Sequence, residues 1–454
     1  MAELKRASFG SKMGAILAAA GSAVGLGNVW RFPYECGQDG GAAFIIVYIG
    51  CVLFLGVPVM MAEFMIGRHA QTNTARAFRK LSSGTPWGFI GYMGVFTGFM
   101  ILGYYAVVSG WTLQYAWASM LGHFRGLTPA QYSQYFTDFS QDPIKPIIWL
   151  AVFLGLTHFV VVHGVRDGIE RSSKLLMPLL FLILIILVVC SLMLPNAFAG
   201  VNFLFNPDFS KITSDAVLGA LGQAFFSLSI GMGCLCTYAS YFSKDTNLTN
   251  TAIQVSVIDT LVAIFAGLVI FPAAFSVGIK PDAGPPLVFI TLPNVFDRAF
   301  ANFPIIGYIF SLSFYILLAI AALTSTISLH EVATSFFHEE LHITRKKAAG
   351  IVTVTCFVIG LFCSFSLGYM PGLKLFDRPL FNCLDDLTAQ ILLPFGGLCI
   401  SLFVGWYLPH KLVRDEVSNW GTLRVRFFHL FIICVKYVCP IFITLIFLHG
   451  LKII

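Results

Sequence analysis

The run GSAVGLGNVWRFP at residues 21–33 decides the fold. It lies inside an apolar stretch long enough to cross a membrane, yet it contains three glycines, an asparagine and an arginine. Glycine lowers helix stability by about 1 kcal/mol relative to alanine, so the run predicts a membrane helix that unwinds near its middle. The run FSLSIGMGC at residues 226–234 repeats this pattern in a later apolar stretch.

The composition places the chain in a bilayer. Of its 454 residues, 57% are hydrophobic and only 11% are charged, whereas about a quarter are charged in an ordinary soluble domain. The net charge of +6 comes from basic residues in short loops, which argues against nucleic acid as a partner. The eleven cysteines lie mostly in apolar segments, and we interpret them as small core residues.

A spanning helix needs roughly 20 mainly apolar residues. Such segments predict an all-α polytopic protein with eleven spans, at residues 12–38, 41–68, 88–122, 146–163, 171–194, 215–242, 250–279, 304–338, 345–367, 380–408 and 424–450. Eighteen Lys and Arg residues would lie on one side and eight on the other, which predicts a plasma-membrane protein with a cytoplasmic N-terminus and an extracytoplasmic C-terminus. We predict one transmembrane domain over residues 1–454, with a surface lid within 281–304.

The two interrupted spans are the first and the sixth. The chain divides into two five-helix halves, at about 12–194 and 215–408, and an extra helix at about 424–450. The interrupted spans occupy corresponding positions in the two halves, and this placement is typical of an inverted-repeat transporter. Close packing of small residues explains one such glycine pair equally well. The polar residues on or near both breaks, Asn28, Arg31, Ser227, Ser229 and Asp259, favour a site.

Broken helices expose two kinds of backbone group. Free N–H groups at a half-helix N-terminus attract a carboxylate, and unpaired carbonyls attract cations. This pair of fields matches a zwitterionic amino acid together with Na⁺, and we predict a transporter without an organic cofactor rather than an enzyme.

At this point the residues match a known family. The runs at residues 21–33, 104–105 with Trp111, 222–241 and 321–325 together resemble the neurotransmitter:sodium symporter family, in particular its eleven-helix bacterial amino-acid transporters. The resemblance covers essentially the whole chain. It implies Na⁺-coupled symport of an amino acid into the cell by alternating access.

The resemblance implies two Na⁺ sites built from oxygen ligands. The first would use Ala23, Asn28, Ser227 and Asp259 together with the substrate carboxylate. The second would use Gly21, Val24, Ala321, Thr324 and Ser325. Hard oxygen donors of this kind suit an alkali cation. Alternatively, the hydroxyls of Thr324 and Ser325 form hydrogen bonds to the backbone of their own helix.

The resemblance also implies an amino-acid site. The carboxylate would meet Leu26, Gly27 and Tyr105, and the ammonium would face carbonyls of Ala23, Phe226, Ser227 and Ser229. Residues matching the side-chain pocket are Ser22, Ile101, Phe226, Met232, Ser325 and Leu329. This pocket contains no charge, which favours a hydrophobic or aromatic L-amino acid.

The family pattern places an ion pair at each end of the pathway. Arg31 would pair with an acid of the tenth span, where Asp385 and Asp386 are both available and Asp385 is preferred. Arg6 and Glu339 occupy the matching positions on the inner side. Exposed pairs at helix ends are the alternative for Arg6, whereas an unpaired Arg31 in a membrane is too costly.

Asp259 is a departure from the chloride-dependent members, which carry a neutral amide there and a hydroxyl four residues later, where this chain has Ala263. We predict that Asp259 supplies the negative charge for which those members use chloride, so that chloride is not required. Tyr48, Gln223 and Ser227 would line the same place.

Two other functions compete with this interpretation. His338, Glu339 and His342 satisfy HExxH, the spacing of a zinc metalloprotease, but they lie at the polar end of the eighth span without an obvious third ligand. A solute sensor or channel on the same fold is the other alternative. Apart from the amino acid and the bilayer, no obligatory protein partner is inferred.

Overall fold

The computed structural model describes residues 6–279, 287–424, 426–451 and 453, except for the side chain of Lys211. The predicted lid falls partly outside these residues. Its described part is a π-helical turn, Leu287–Thr291, followed by the helix Leu292–Ala299.

The described chain is almost entirely helical. In chain order the helices are α1 Lys12–Ala23, α2 Gly27–Gln38, α3 Ala42–Ala70, α4 Thr74–Leu81, α5 Pro86–Met120, α6 Pro129–Gln141, α7 Lys145–Val162, α8 Val165–Leu192, α9 Ala197–Phe205, α10 Ser214–Ser227, α11 Cys234–Ala239, α12 Leu248–Ser276, α13 Leu292–Ala299, α14 Pro304–Glu340, α15 Arg345–Leu367, α16 Leu380–Tyr407, α17 His410–Val417 and α18 Phe428–Gly450. A two-stranded antiparallel hairpin, β1 Lys374–Leu375 and β2 Arg378–Pro379, precedes α16.

The predicted spans are recovered with one difference. Among the described residues, nine helices are long and apolar enough to cross a membrane, and α1 with α2, bent by 52°, forms a tenth span. The predicted span at 215–242 is divided into α10 and α11, and neither piece is long enough alone because the chain unwinds between them. The predicted fold class, with breaks in the first and sixth spans, is confirmed.

The long helices α5 and α14 pack extensively against each other and form the centre of the bundle. α1 packs against α12 and α14, so the first break is buried among them. Large apolar side chains such as Phe159 and Leu175 are exposed, as expected where a helix faces lipid. We call the end of the bundle where α1 begins the N-terminal face, and the other end the opposite face.

Candidate functional site

The first break separates α1 from α2 around Gly25. Val24 has an extended backbone, and its N–H donates to Ala20 at 2.7 Å, which ends α1. The Gly25 N–H donates to Asn28 Oδ1 at 2.9 Å. A Cβ atom at Gly25 would lie 2.5 Å from Ser325 Oγ, so a larger residue here would have to displace Ser325 of α14. The unwound turn therefore brings backbone polar groups to the centre of the bundle.

The second break separates α10 from α11 and depends on left-handed backbone. Ser229, Gly231 and Gly233 have φ angles of 55°, 85° and 76°. The freed N–H of Gly231 donates to Glu63 Oε1 at 2.7 Å. A Cβ at Gly231 would lie 2.7 Å from the Leu393 carbonyl oxygen, so α16 also approaches this break closely.

Asp259 of α12 joins the two breaks. Asn28 Nδ2 donates to Asp259 Oδ1 at 2.7 Å, Ser227 Oγ donates to both carboxylate oxygens at 3.0 and 2.9 Å, and Tyr48 Oη donates to Oδ2 at 3.1 Å. The carboxylate is completely buried. The structure thus brings together Asn28, Ser227 and Asp259 of the first predicted Na⁺ site.

Gln223 lies beside this cluster. Its Nε2 donates to the Gly27 carbonyl at 3.1 Å, while its buried Oε1 has no hydrogen-bond partner among the described residues. A buried polar atom without a partner costs free energy, so the cluster retains capacity for a further polar ligand.

The residues of the second predicted Na⁺ site also meet. Ser325 Oγ lies 3.1 Å from the Val24 carbonyl, and Thr324 Oγ1 lies 3.4 Å from the same oxygen. A Cβ at Gly21 would lie 3.3 Å from Thr324 Cβ, which places α1 against α14. Thr324 Oγ1 also reaches the Ala321 carbonyl at 3.0 Å, so bonding to its own helix, the alternative reading, is present as well.

A cavity of about 280 Å³ opens from the predicted amino-acid site toward the opposite face. Leu26, Gly27, Tyr105 and Phe226 line it, and the Leu26 N–H donates to Tyr105 Oη at 3.0 Å. The remaining predicted site residues are buried and lie outside this lining: Ser22, Ala23, Ile101, Ser227, Ser229, Met232, Ser325 and Leu329. Ser229 Oγ donates to the Ser22 carbonyl at 2.8 Å, which holds the two breaks together.

The N-terminal face is closed by an ion pair. Arg6 contacts Glu339, donates to Ser240 Oγ at 2.6 Å and lies over the Tyr241 ring at 4.4 Å. Both side chains of the pair are largely buried. The predicted inner pair is therefore present as a contact between the N-terminal segment and α14.

At the opposite face the expected ion pair is not formed. Among the residues that the structure describes, the carboxylate bonded to Arg31 belongs to Glu35, with Nε to Oε1 at 3.4 Å, and not to Asp385. Asp386 is engaged by Arg378 of the hairpin. The physical reason is that the open cavity, which Arg31, Asp385 and Asp386 all line, separates the two sides.

The HExxH arrangement does not have metalloprotease geometry. α14 ends at Glu340, and His342 has a φ angle of 53°, so the two histidines do not share a helical face. His338 Nδ1 contacts the Ile343 carbonyl at 2.5 Å, and Glu339 is paired with Arg6. Within the described ranges, no group of three His, Cys, Asp or Glu side chains is placed to hold a metal ion.

Two buried acids at the site were not predicted. Glu63 of α3 binds the second break through Gly231, and Glu331 of α14 accepts hydrogen bonds from Tyr241 Oη at 2.5 Å and Arg345 Nη1 at 3.0 Å. Both carboxylates are fully buried. The available signal was a lone acid inside an apolar span, which is costly in a membrane unless it has partners.

A family model for the sodium:neurotransmitter symporter family matches residues 6–127 and 138–454. The chain belongs to this family. This symporter is 37% identical over 454 residues to an uncharacterized sodium-dependent transporter of Bacillus subtilis, YhdH, with 100% of both chains covered. It is 27% identical to the sodium-dependent serotonin transporter of Drosophila melanogaster, covering 99% of this chain and 77% of that protein.

Among solved structures, MhsT in complex with L-phenylalanine matches this symporter with a TM-score of 0.89 and 41% sequence identity. The match covers 98% of this chain and 100% of that chain. The predicted family is therefore confirmed, and the chain is a multi-pass, sodium-dependent membrane transporter.

Proposed function

We propose that this symporter moves a hydrophobic or aromatic L-amino acid into the cell together with Na⁺. One observation carries the proposal. The two helix breaks meet beside a mostly apolar cavity, and Asp259 bonds to a residue at each break. The resemblance to a transporter solved with L-phenylalanine supports the same substrate class.

The amino-acid backbone would bind between the two breaks. Its carboxylate meets the N–H groups of Leu26 and Gly27 and the hydroxyl of Tyr105, which already lies 3.0 Å from Leu26 N. These donors stand at the N-terminus of α2, where the helix dipole favours negative charge. The ammonium faces the carbonyls at Ala23 and at the end of α10, including Phe226, Ser227 and Ser229.

The side chain of the substrate would rest against Ile101, Met232 and Leu329, which are all buried and uncharged. Phe226 and Tyr105 line the open cavity. Such a lining stabilises apolar groups and offers no partner to an ionised side chain. Met232 is flexible, so side chains of several sizes fit the same place.

Na⁺ would travel as co-substrate at two places. The first uses oxygens of Ala23, Asn28, Ser227 and Asp259, and the buried Gln223 Oε1 without a partner is consistent with further ligand capacity there. The second uses Gly21, Val24, Ala321, Thr324 and Ser325, whose oxygens lie between α1 and α14. Because Asp259 provides a carboxylate that is part of the protein itself, chloride is not needed for charge balance.

Alternating access would follow from the two faces. The Arg6–Glu339 pair closes the N-terminal face, while the cavity stays open at the opposite face. With the N-terminus in the cytoplasm of the cell, this is the conformation that receives substrate from outside. Closure over Tyr105 and Phe226 and rupture of the inner pair would release it inside.

The test is uptake of labelled L-phenylalanine into liposomes with an inward Na⁺ gradient, compared with K⁺ of equal concentration. We expect accumulation only with Na⁺, and competition by leucine or tryptophan but not by lysine or aspartate. Equal uptake in the two salts, or competition by charged amino acids, contradicts the proposal.

The ion sites can be tested by single variants. Asn28→Ala and Thr324→Ala each remove one proposed oxygen ligand, so we expect the Na⁺ concentration for half-maximal uptake to rise by about tenfold, or roughly 1.4 kcal/mol. Thr326→Val is the matched control, because Thr326 is also buried in α14 but bonds to Leu323 and Thr157. Unchanged Na⁺ activation in both alanine variants removes the assignment.

A further inference from the structure

Arg31 has acidic groups on two sides. On its own helix, Glu35 Oε1 lies 3.4 Å from Arg31 Nε, one helical turn away. Across the cavity, Asp385 of α16 lies within the electrostatic influence of Arg31 but makes no ion pair with it among the described residues. The guanidinium also lies over the Phe226 ring, with Arg31 Cζ 5.0 Å from the ring centroid.

A second cavity, of about 530 Å³, adjoins Glu35 and adds negative charge on that side. Asp39 and Asp215 line it together with Glu35 and Arg31. Burial, followed by the negative charges of Glu35 and Asp215, raises the pKa of Asp39 to about 6. The guanidinium is thus attracted toward the α2 side while the first cavity is open.

The tenth span presents Asp385 alone to Arg31, since Asp386 is occupied. Arg378 contacts Asp386 Oδ2, and Gln390 Nε2 donates to Asp386 Oδ1 at 2.7 Å. Tyr104, whose hydroxyl lies 3.1 Å from Thr388 Oγ1, lines the same cavity as Asp385. In this conformation Arg378 and Gln390 therefore engage both carboxylate oxygens of Asp386.

We propose that Glu35 is a positioning residue that holds Arg31 away from Asp385 when the opposite face is open, so that closure is an exchange of partners by Arg31. The inference rests on the proposed alternating access. Arg31 then stays paired in both conformations, which avoids leaving a guanidinium unpaired at the membrane boundary. Because this pair is partly exposed, at 38% and 20%, the bias it supplies is modest and readily reversed.

The experiment measures the opening of the cavity directly. Ala389 lines both cavities and is therefore a suitable reporter position. The variant Ala389→Cys is alkylated with neutral N-ethylmaleimide in K⁺ medium without amino acid. The rate of labelling at residue 389 is quantified by mass spectrometry. Glu35→Gln keeps the side-chain shape but weakens the competing pair. We expect alkylation to slow by about two- to fivefold, the range that a partly exposed ion pair supports.

Two controls separate partner exchange from general charge effects. Asp39→Asn removes the same charge from the same cavity without touching Arg31, and we expect less than half of the effect. Glu35→Gln combined with Asp385→Asn leaves Arg31 with no partner to move to, so the slowing disappears. An unchanged rate in Glu35→Gln, equal slowing in Asp39→Asn, or slowing that persists in the double variant overturns the proposal.

Failure of the proposed transport is distinguishable from failure of this exchange. Alkylation in K⁺ requires neither Na⁺ nor substrate, whereas uptake in liposomes requires both. A monodisperse gel-filtration profile of each variant shows that folding is not the cause.

Discussion

At the scale of single residues, Asp259 is both a charged group and a proposed Na⁺ ligand. It is fully buried and accepts hydrogen bonds from Asn28, Ser227 and Tyr48. Asp259→Asn keeps the size of the side chain and removes its charge. We expect the variant to need about tenfold more Na⁺ for half-maximal uptake, equivalent to roughly 1.4 kcal/mol of lost attraction. The measurement is initial uptake rate against Na⁺ concentration.

The same assay tests the role of Asp259 in replacing chloride. Wild-type uptake should be unchanged when gluconate replaces chloride on both sides of the liposome. Loss of wild-type uptake without chloride contradicts the idea, whatever Asp259→Asn does.

At the scale of the element, the break in the first span depends on steric fit. A Cβ at Gly25 would lie 2.5 Å from Ser325 Oγ and 3.1 Å from Tyr105 Oη. Gly25→Ala should therefore displace α14 or the bend and weaken Na⁺-dependent binding of L-phenylalanine by about tenfold or more. Gly155→Ala in α7 is the control, since its Cβ meets nothing within 4 Å, and it should bind normally. Equal binding by both variants contradicts the prediction.

The short helix α17 attaches to the bundle through Glu416. Burial raises the pKa of Glu416, but the hydrogen bond from His69 and the charge of Arg68 outweigh it, so the pKa lies below its ordinary value of 4.5. A group whose folded pKa is depressed contributes stability above its unfolded pKa and loses it as the pH falls through the folded pKa.

Thermal unfolding in detergent should show this contribution. Between pH 7 and pH values below 4.5, the melting temperature of the wild type should fall by more than that of Glu416→Gln, which has no carboxylate to titrate. Replacing one partner of this buried pair is itself expected to cost about 3 kcal/mol or more at pH 7. Identical pH profiles for the two proteins contradict the assignment.

The sequence predicted the limits and breaks of the helices better than it predicted which side chains bond to each other. The limits of α7 and α16 follow from apolar length, and the breaks follow from Gly-rich runs beside Asn28 and Ser227. The attachment of Glu63 to Gly231 and the pairing of Arg31 with Glu35 did not follow. Glu35 is visible one turn after Arg31 in the sequence, but its competition with Asp385 depends on how far α2 and α16 stand apart, which only the packed bundle determines.

At the scale of the whole molecule, the same conformation is closed at the N-terminal face and open at the opposite face. The Arg6–Glu339 pair is largely buried, with 13% and 12% of the side chains exposed, so its loss shifts the balance between conformations. Arg6→Ala should lower the population that is open at the opposite face. Glu339 keeps the hydroxyl of Thr72 at 2.8 Å and the N–H of Asn73 at 2.9 Å, so the fold should survive.

The expected result is a change in apparent affinity. When only a fraction of molecules can bind, the apparent Kd is the intrinsic Kd divided by that fraction, so about fivefold weaker binding of L-phenylalanine corresponds to a fivefold smaller open population. Lys12→Ala is the matched control, because Lys12 pairs with Asp245 at 3.1 Å while 69% exposed and should have almost no effect. If both variants weaken binding equally, loss of positive charge from the N-terminal segment, rather than the buried pair, determines which face opens.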